Sequence, residues 1–70
     1  MIPILSSVSG TVIEVLVTVG ATVGPDDEVA LIESMKMEIP VAADAAGVIE
    51  EIRIVAGDLV TEGQVIATLG

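Results

Sequence analysis

The segment GTVIEVLVTVGATV, residues 10–23, is similar to the segment GVIEEIRIVAGDLV, residues 47–60. The two segments align at an offset of 37 residues, and the alignment continues without a gap over residues 10–33 and 47–70. The identical pairs are Gly10/Gly47, Glu14/Glu51, Gly20/Gly57, Val23/Val60 and Ala30/Ala67. An internal repeat indicates one structural unit that is present twice. The sequence therefore predicts two similar halves related by a pseudo-two-fold axis.

Each half consists of short runs rich in β-branched residues, separated by turns that contain glycine, as is typical of β-strands. The runs are Val12–Val17 and Val29–Ile32 in the first half, and Ile49–Ile54 and Val65–Leu69 in the second. The chain between the halves, residues 35–41, alternates between apolar residues and polar residues or proline, which also favours a strand. We therefore predict an all-β protein of about eight short strands in two sheets.

The first run of each half departs from the spacing of a regular strand. Its apolar positions are separated by three and then by two residues, whereas side chains on one face of a strand recur every two residues. A β-bulge near Glu14 and Glu51 explains this spacing. The apolar residues expected between the two sheets are Val15, Val17, Ile52 and Ile54.

A helix that begins at Pro25 is the alternative for residues 25–32, because a proline followed by three acidic residues resembles a helical first turn. The repeat argues against this helix, since the equivalent segment Val65–Gly70 is too short for a stable one. The acidic residues 26–28 lack the spacing of a calcium loop, so we expect a solvated turn there and no metal site.

The composition excludes several classes of function. The 70 residues include two basic and eleven acidic side chains, with a formal net charge of −9 at pH 7, and they lack Cys, His, Phe, Tyr and Trp. Such a chain cannot neutralise phosphates or stack on bases, so nucleic acid is not expected as a partner. Without histidine or cysteine the chain has no side chain suited to act as a general base or thiolate near neutral pH, so independent catalysis is not expected.

The length fits a single domain, residues 1–70, that is too small for a spacious substrate pocket. The charge-free stretches, residues 1–13 and 15–25, are interrupted by Pro, Gly or Ser, and they are shorter than the roughly 20 apolar residues of a membrane-spanning helix. No cationic segment precedes an apolar one at the N-terminus, as a secretory signal requires. We therefore expect no membrane partner and a cytoplasmic location.

Lys36 is the only lysine of the chain and lies between the two halves. It offers the only side-chain amine that can be acylated. A single lysine is most often a solvated surface residue, and methionines often fill a core. Here, however, Met35 and Met37 flank the lysine, and two flexible, polarisable thioethers beside one amine favour a surface that another protein recognises.

The segment Glu33-Ser34-Met35-Lys36-Met37-Glu38 resembles the attachment motif of the biotinyl/lipoyl attachment domains, and within them the biotin carboxyl carrier type. The resemblance covers nearly the whole chain. It implies a flattened β-barrel of two four-stranded antiparallel sheets, with the lysine at the tip of a tight hairpin opposite the chain termini. It also implies that biotin protein ligase joins biotin to Lys36 through an amide. Met35 and Met37 would help the ligase select this lysine, and Glu33, Ser34 and Glu38 would form the flanks of the motif.

The same resemblance implies a carrier and not an enzyme. Biotin on Lys36 would act as a swinging arm that carries carboxylate from a biotin carboxylase to a carboxyltransferase of an acyl-CoA or keto-acid carboxylase. The implied partners are thus the ligase and these two enzymes, and the isolated domain is expected to be a monomer. The link between residues 17 and 29 leaves no room for the protruding thumb of some acetyl-CoA carboxylase carriers, which favours the thumbless type.

Two alternatives remain open. One is a lipoyl carrier of a 2-oxo acid dehydrogenase, in which the lysine commonly follows Asp and precedes a small residue. Met35 and Met37 occupy those places here and favour biotin over lipoate. The other alternative is an unmodified β-barrel that binds a partner, with Lys36 as a contact.

Some positions depart from the motif or from the repeat. Ser34 stands where biotin carriers usually have alanine. Asp26 stands where the second half has Gly63, and Ala21 stands where the second half has Asp58. Because these departures concern turns and flanks, they bear on the efficiency of modification and not on its place.

Overall fold

The computed structural model describes all residues from Met1 to Gly70 and contains strands and turns but no helix. The eight strands are β1 Ile2–Leu5, β2 Gly10–Val15, β3 Thr22–Val23, β4 Glu28–Ser34, β5 Met37–Ala42, β6 Gly47–Ile52, β7 Leu59–Val60 and β8 Val65–Leu69. The predicted all-β chain is confirmed, and the helix considered at Pro25 is absent because residues 25–27 form a turn that leads into β4. The structure thus offers no helix of the length and apolarity needed to cross a membrane.

The strands form two four-stranded sheets with the orders β1-β8-β6-β3 and β5-β4-β2-β7, and every strand pair is antiparallel. A shift of 37 residues converts each strand of the first sheet into the corresponding strand of the second. The predicted pseudo-two-fold arrangement of the flattened barrel is therefore confirmed. The repeat also includes β1 and β5, where Ile2-Pro3 matches Ile39-Pro40, although the alignment above begins only at Gly10.

The predicted bulges are present in both halves. The register of β2 against β4 shifts between Val12 and Glu14, and the register of β6 against β8 shifts between Ile49 and Glu51. One extra residue in each strand bends it and changes the face on which the following side chains lie. The bulges therefore account for the irregular apolar spacing.

One hydrophobic core lies between the sheets. It consists of Ile4, Val12, Val23, Val29, Ala30, Ile32, Val41, Ala43, Ile49, Ile54, Val60, Ile66, Ala67 and Leu69. Of the four residues predicted there, only Ile54 is buried, whereas Val15, Val17 and Ile52 are half-buried and pack against the margin of the core. The prediction for these three residues was therefore partly wrong. β2 and β6 end at Val15 and Ile52, two residues earlier than predicted, and of the two residues that follow at equivalent positions only Ile54 reaches the core.

The turns before β4 and β8 are equivalent in geometry although their sequences differ. The backbone N–H of Gly24 donates to the Asp27 carboxylate over 2.8 Å, and the N–H of Thr61 donates to the Gln64 side-chain oxygen over 3.0 Å. Asp26 has a φ of 74° where Gly63 has 87°. Aspartate tolerates this left-handed conformation better than most residues. The departure of Asp26 from glycine therefore leaves the turn intact.

Candidate attachment site

Lys36 lies at the tip of the hairpin that joins β4 to β5, as the resemblance implied. Ser34 and Met37 are the last paired residues of the two strands, so Met35 and Lys36 form a two-residue turn. Their φ angles are 53° and 64°, and positive φ at both central residues is the signature of a type I′ turn. This turn matches the right-handed twist of the flanking strands, and it therefore holds the lysine at a defined place beyond the sheet.

The residues of this turn are unusual for its conformation. Type I′ turns favour asparagine and glycine, because other residues are strained at positive φ. A methionine and a lysine at the two positions therefore oppose the local backbone preference. Strained residues of this kind cluster at functional sites, although Asp26 has a positive φ in a turn with no such role. The conformation of the turn therefore supports the site that the motif predicts.

The side chains at the tip are open to solvent. Met35 is 91% exposed and Met37 is 60% exposed, and Lys36 is exposed as well. The only ion pair of the structure joins Arg53 to Glu51 over 2.8 Å. The Lys36 amine therefore has no carboxylate partner to displace, and an acylating enzyme can reach it without opening the fold.

The acidic flanks of the motif face each other across the hairpin. Glu33 and Glu38 are directly opposite residues of β4 and β5, and both are exposed. Like charges at directly opposite positions destabilise a sheet slightly. Ser34 is half-buried and lies opposite Met37. The structure thus brings all six predicted site residues into one hairpin, with Lys36 at its end.

The hairpin and the chain termini lie at opposite ends of the barrel. From the tip, β5 runs six residues to Ala42, which corresponds to ~20 Å at about 3.3 Å per residue. Gly47 follows soon after it and lies beside the C-terminal Gly70, whose N–H donates to the Val48 carbonyl over 2.8 Å. The N-terminal strand begins at the same end, since Ile2 pairs with Leu69. The lysine is therefore presented at the end of the molecule away from both termini.

One residue beside the hairpin was missed by the sequence interpretation. Gly10 begins β2 next to the end of β4, with Thr11 paired to Glu33. A side chain at Gly10 would overlap the main chain of Glu33. The identity of Gly10 with Gly47 was a signal, but it was used only to align the two halves.

Comparison with known proteins shows the family to which this chain belongs. A family described as "Biotin-requiring enzyme", the biotin/lipoyl family, matches residues 2–69. The chain belongs to the biotin/lipoyl attachment family. The resemblance stated from the motif is thereby confirmed, and the chain is a carrier-type attachment domain.

Two small bacterial proteins are similar to this attachment domain over most of their length. The biotinylated protein TB7.3 homolog of Mycobacterium leprae is 39% identical over 64 residues, which are 91% of this chain and 90% of that protein. The biotin/lipoyl attachment protein of Bacillus subtilis is 43% identical over 61 residues, which are 87% of this chain and 84% of that protein. The two names cover both biotin and lipoate.

A solved structure supports the same fold. The urea carboxylase of Kluyveromyces lactis matches 97% of this chain with a TM-score of 0.91 and 31% sequence identity. The matched region is only 6% of that enzyme. An attachment domain of this architecture is therefore also found within a much longer carboxylase.

Proposed function

We propose that this attachment domain is a biotin carboxyl carrier with Lys36 as its attachment residue. Biotin protein ligase would join biotin to the Lys36 amine. The loaded domain would then serve a biotin carboxylase and a carboxyltransferase of an acyl-CoA or keto-acid carboxylase in the cytoplasm. The observation that supports this proposal most is the position of the only lysine at the tip of a strained turn between two exposed methionines.

The residues present fit the attachment of biotin through an amide. The Lys36 nitrogen is exposed and forms no ion pair, and on acylation the ammonium would lose two protons, one to become the free amine and one as the C–N bond of the amide forms. The ligase supplies the activated carboxyl group as an adenylate, from which AMP leaves, and it also supplies the base. When attached, biotin supplies a ureido nitrogen that accepts and releases carboxylate.

The hairpin would act as a rigid mount for the arm. Its two strands belong to a sheet that packs on the buried core, and its turn conformation is fixed by pairing up to Ser34 and Met37. Only the flexible lysine stem and the attached group then move. A short tether on a rigid mount keeps a high effective concentration of the cofactor at two neighbouring active sites.

Two observations support biotin and a carboxylase over the alternatives. Met35 and Met37 project from the tip, where a lipoyl carrier commonly has Asp and a small residue. In addition, a urea carboxylase contains a domain of this fold at 31% identity. The lipoyl alternative is retained as a testable second function because the Bacillus subtilis relative is named for both cofactors.

The direct test is enzymatic labelling with biotin, ATP and a biotin protein ligase. One biotinyl group is expected, and it should change the formal net charge from −9 to −10, because a neutral amide replaces one ammonium. Intact mass and peptide sequencing should place the group on Lys36. The matched control is Lys36→Arg, which keeps the positive charge and is expected to fold and remain unlabelled. Streptavidin binding by Lys36→Arg treated in the same way would reject the assignment.

A further inference from the structure

We propose that Gly10 is a positioning residue for the Lys36 hairpin. Because Gly10 has no side chain, the end of β4 can lie close against β2, and this approach determines where the turn holds Lys36. The consequence for modification rests on the proposed function, since the position of the turn matters only if a ligase recognises it.

The glycine is needed for space and not for an unusual backbone conformation. Gly20, Gly57 and Gly63 have positive φ angles, but Gly10 does not. A Cβ atom at Gly10 would overlap the carbonyl oxygen of Glu33 and would lie 3.0 Å from its carbonyl carbon and 2.9 Å from Cγ2 of Ile32. Two of these three atoms are backbone atoms, and the third belongs to a fully buried side chain. Alanine at position 10 therefore requires the main chain to move.

The end of β4 can move more easily than β2. β2 is an inner strand, and its start is paired on the far side with β7 through Gly10 and Val60. The preceding Ser9 is also held, since its hydroxyl accepts a hydrogen bond from the Glu62 N–H over 2.9 Å. β4 is an inner strand as well, but only Ser34 separates Glu33 from the exposed turn formed by Met35 and Lys36. The displacement should therefore pass to the turn.

The pseudo-two-fold axis provides a matched control. Gly47 occupies the position equivalent to Gly10, at the end of the barrel that holds the termini. A Cβ atom at Gly47 would lie 3.1 Å from the Gly70 carbonyl oxygen and 3.2 Å from Cβ of Leu69. These contacts are tight but do not overlap, so they require shifts of only a few tenths of an ångström. Gly47→Ala is thus the same substitution at the equivalent place, but far from Lys36.

The experiment compares the wild type with Gly10→Ala and Gly47→Ala by three measurements. Amide chemical shifts of residues 34–37 report the position of the turn. The kcat/KM of biotin protein ligase reports recognition. Acylation of Lys36 by the N-hydroxysuccinimide ester of biotin, followed by peptide mass spectrometry, reports only the accessibility of the amine.

Gly10→Ala should shift the amides of the turn and lower the ligase kcat/KM by ~10- to 100-fold, the scale of a displacement of about 1 Å. The rate of acylation by the ester should stay unchanged. Gly47→Ala should leave all three measurements near their wild-type values. The unchanged ester rate shows that Lys36 stays accessible, and amide shifts outside the hairpin that remain at their wild-type values separate a positioning role from general loss of structure.

Unchanged turn amides in folded Gly10→Ala would overturn the proposal, and so would shifted amides with an unchanged ligase rate. If Gly10→Ala does not fold in buffer, the measurements are repeated in trimethylamine N-oxide, which favours the folded state. A chain that remains unfolded there would also overturn the proposal, because the core and not the hairpin would then absorb the clash. If the ligase does not label the wild type, the proposed function is rejected, and the amide shifts still decide whether Gly10 sets the position of the turn.

Discussion

Replacement of Met35 by glycine is expected to stabilise the protein and to impair modification of Lys36. Met35 has a φ of 53°, and a left-handed backbone costs a residue with a side chain about 1–2 kcal/mol. Glycine avoids this cost but loses about 0.5–1 kcal/mol more conformational entropy on folding. Because the Met35 side chain is 91% exposed, its removal forfeits almost no buried apolar area. The free energy of unfolding should therefore rise by roughly 0.5–1 kcal/mol.

Asp26→Gly is the matched control for this prediction. Asp26 has a φ of 74°, so its replacement also relieves a left-handed residue, but in a turn remote from Lys36. Aspartate tolerates this conformation better than methionine does, and the stabilisation should be smaller than that of Met35→Gly. The rate of biotinylation should remain at the wild-type value, since Asp26 lies outside the hairpin.

The assay combines urea denaturation with ligase kinetics. Far-UV circular dichroism is the suitable probe, because the chain contains no Trp, Tyr or Phe. Met35→Gly should show a higher urea midpoint than the wild type and slower biotinylation, so that stability and modification change in opposite directions. A lower midpoint would refute the argument from backbone strain. An unchanged ligase rate would refute recognition of the thioether.

Two further substitution sets test the core and the choice of cofactor. Ile49→Ala should cost roughly 2–5 kcal/mol in urea denaturation, because Ile49 is only 1% exposed. Ile52→Ala should cost less, since Ile52 is half-buried, and Glu62→Ala should cost little; equal midpoints for all three would contradict the packing. Replacing Met35 by Asp together with Met37 by Ala should slow biotinylation, because a ligase site shaped for a thioether would desolvate a carboxylate without a partner. The same double variant should be a better substrate for lipoate ligase, and unchanged rates with both ligases would show that hairpin geometry alone selects the lysine.

The fold could be predicted from the sequence because both halves of the chain have to satisfy the same physical constraint. Each half must bury one face of short strands, so the same apolar spacing recurs 37 residues later, from Val12 to Ile49 and from Val29 to Ile66. The bulges could also be predicted from the sequence, because an extra residue in a strand shifts the spacing of its apolar positions. The candidate attachment residue could also be named from the sequence, because Lys36 is the only lysine and lies between the halves.

The extent of burial was predicted less well. Val15, Val17 and Ile52 are apolar and were expected between the sheets, but they are half-buried, whereas Ile54 belongs to the core. The periodicity of apolar residues indicates which side chains lie on the same face of a strand. It does not report how deeply each of these side chains is covered, which depends on the distant segments that pack over it.

Three properties could be predicted from the amino-acid sequence: the all-β repeat, the equivalence of the two halves and the identity of the candidate attachment lysine. These properties follow from local patterns of apolar residues, turn residues and a single amine. Two further features became apparent only in the folded protein: Met35 and Lys36 adopt positive φ angles, and Gly10 lies against the main chain of Glu33. Both depend on how β2, β4 and β5 approach one another in the folded sheet. Contacts between segments far apart in the chain set these distances, and no local pattern encodes them.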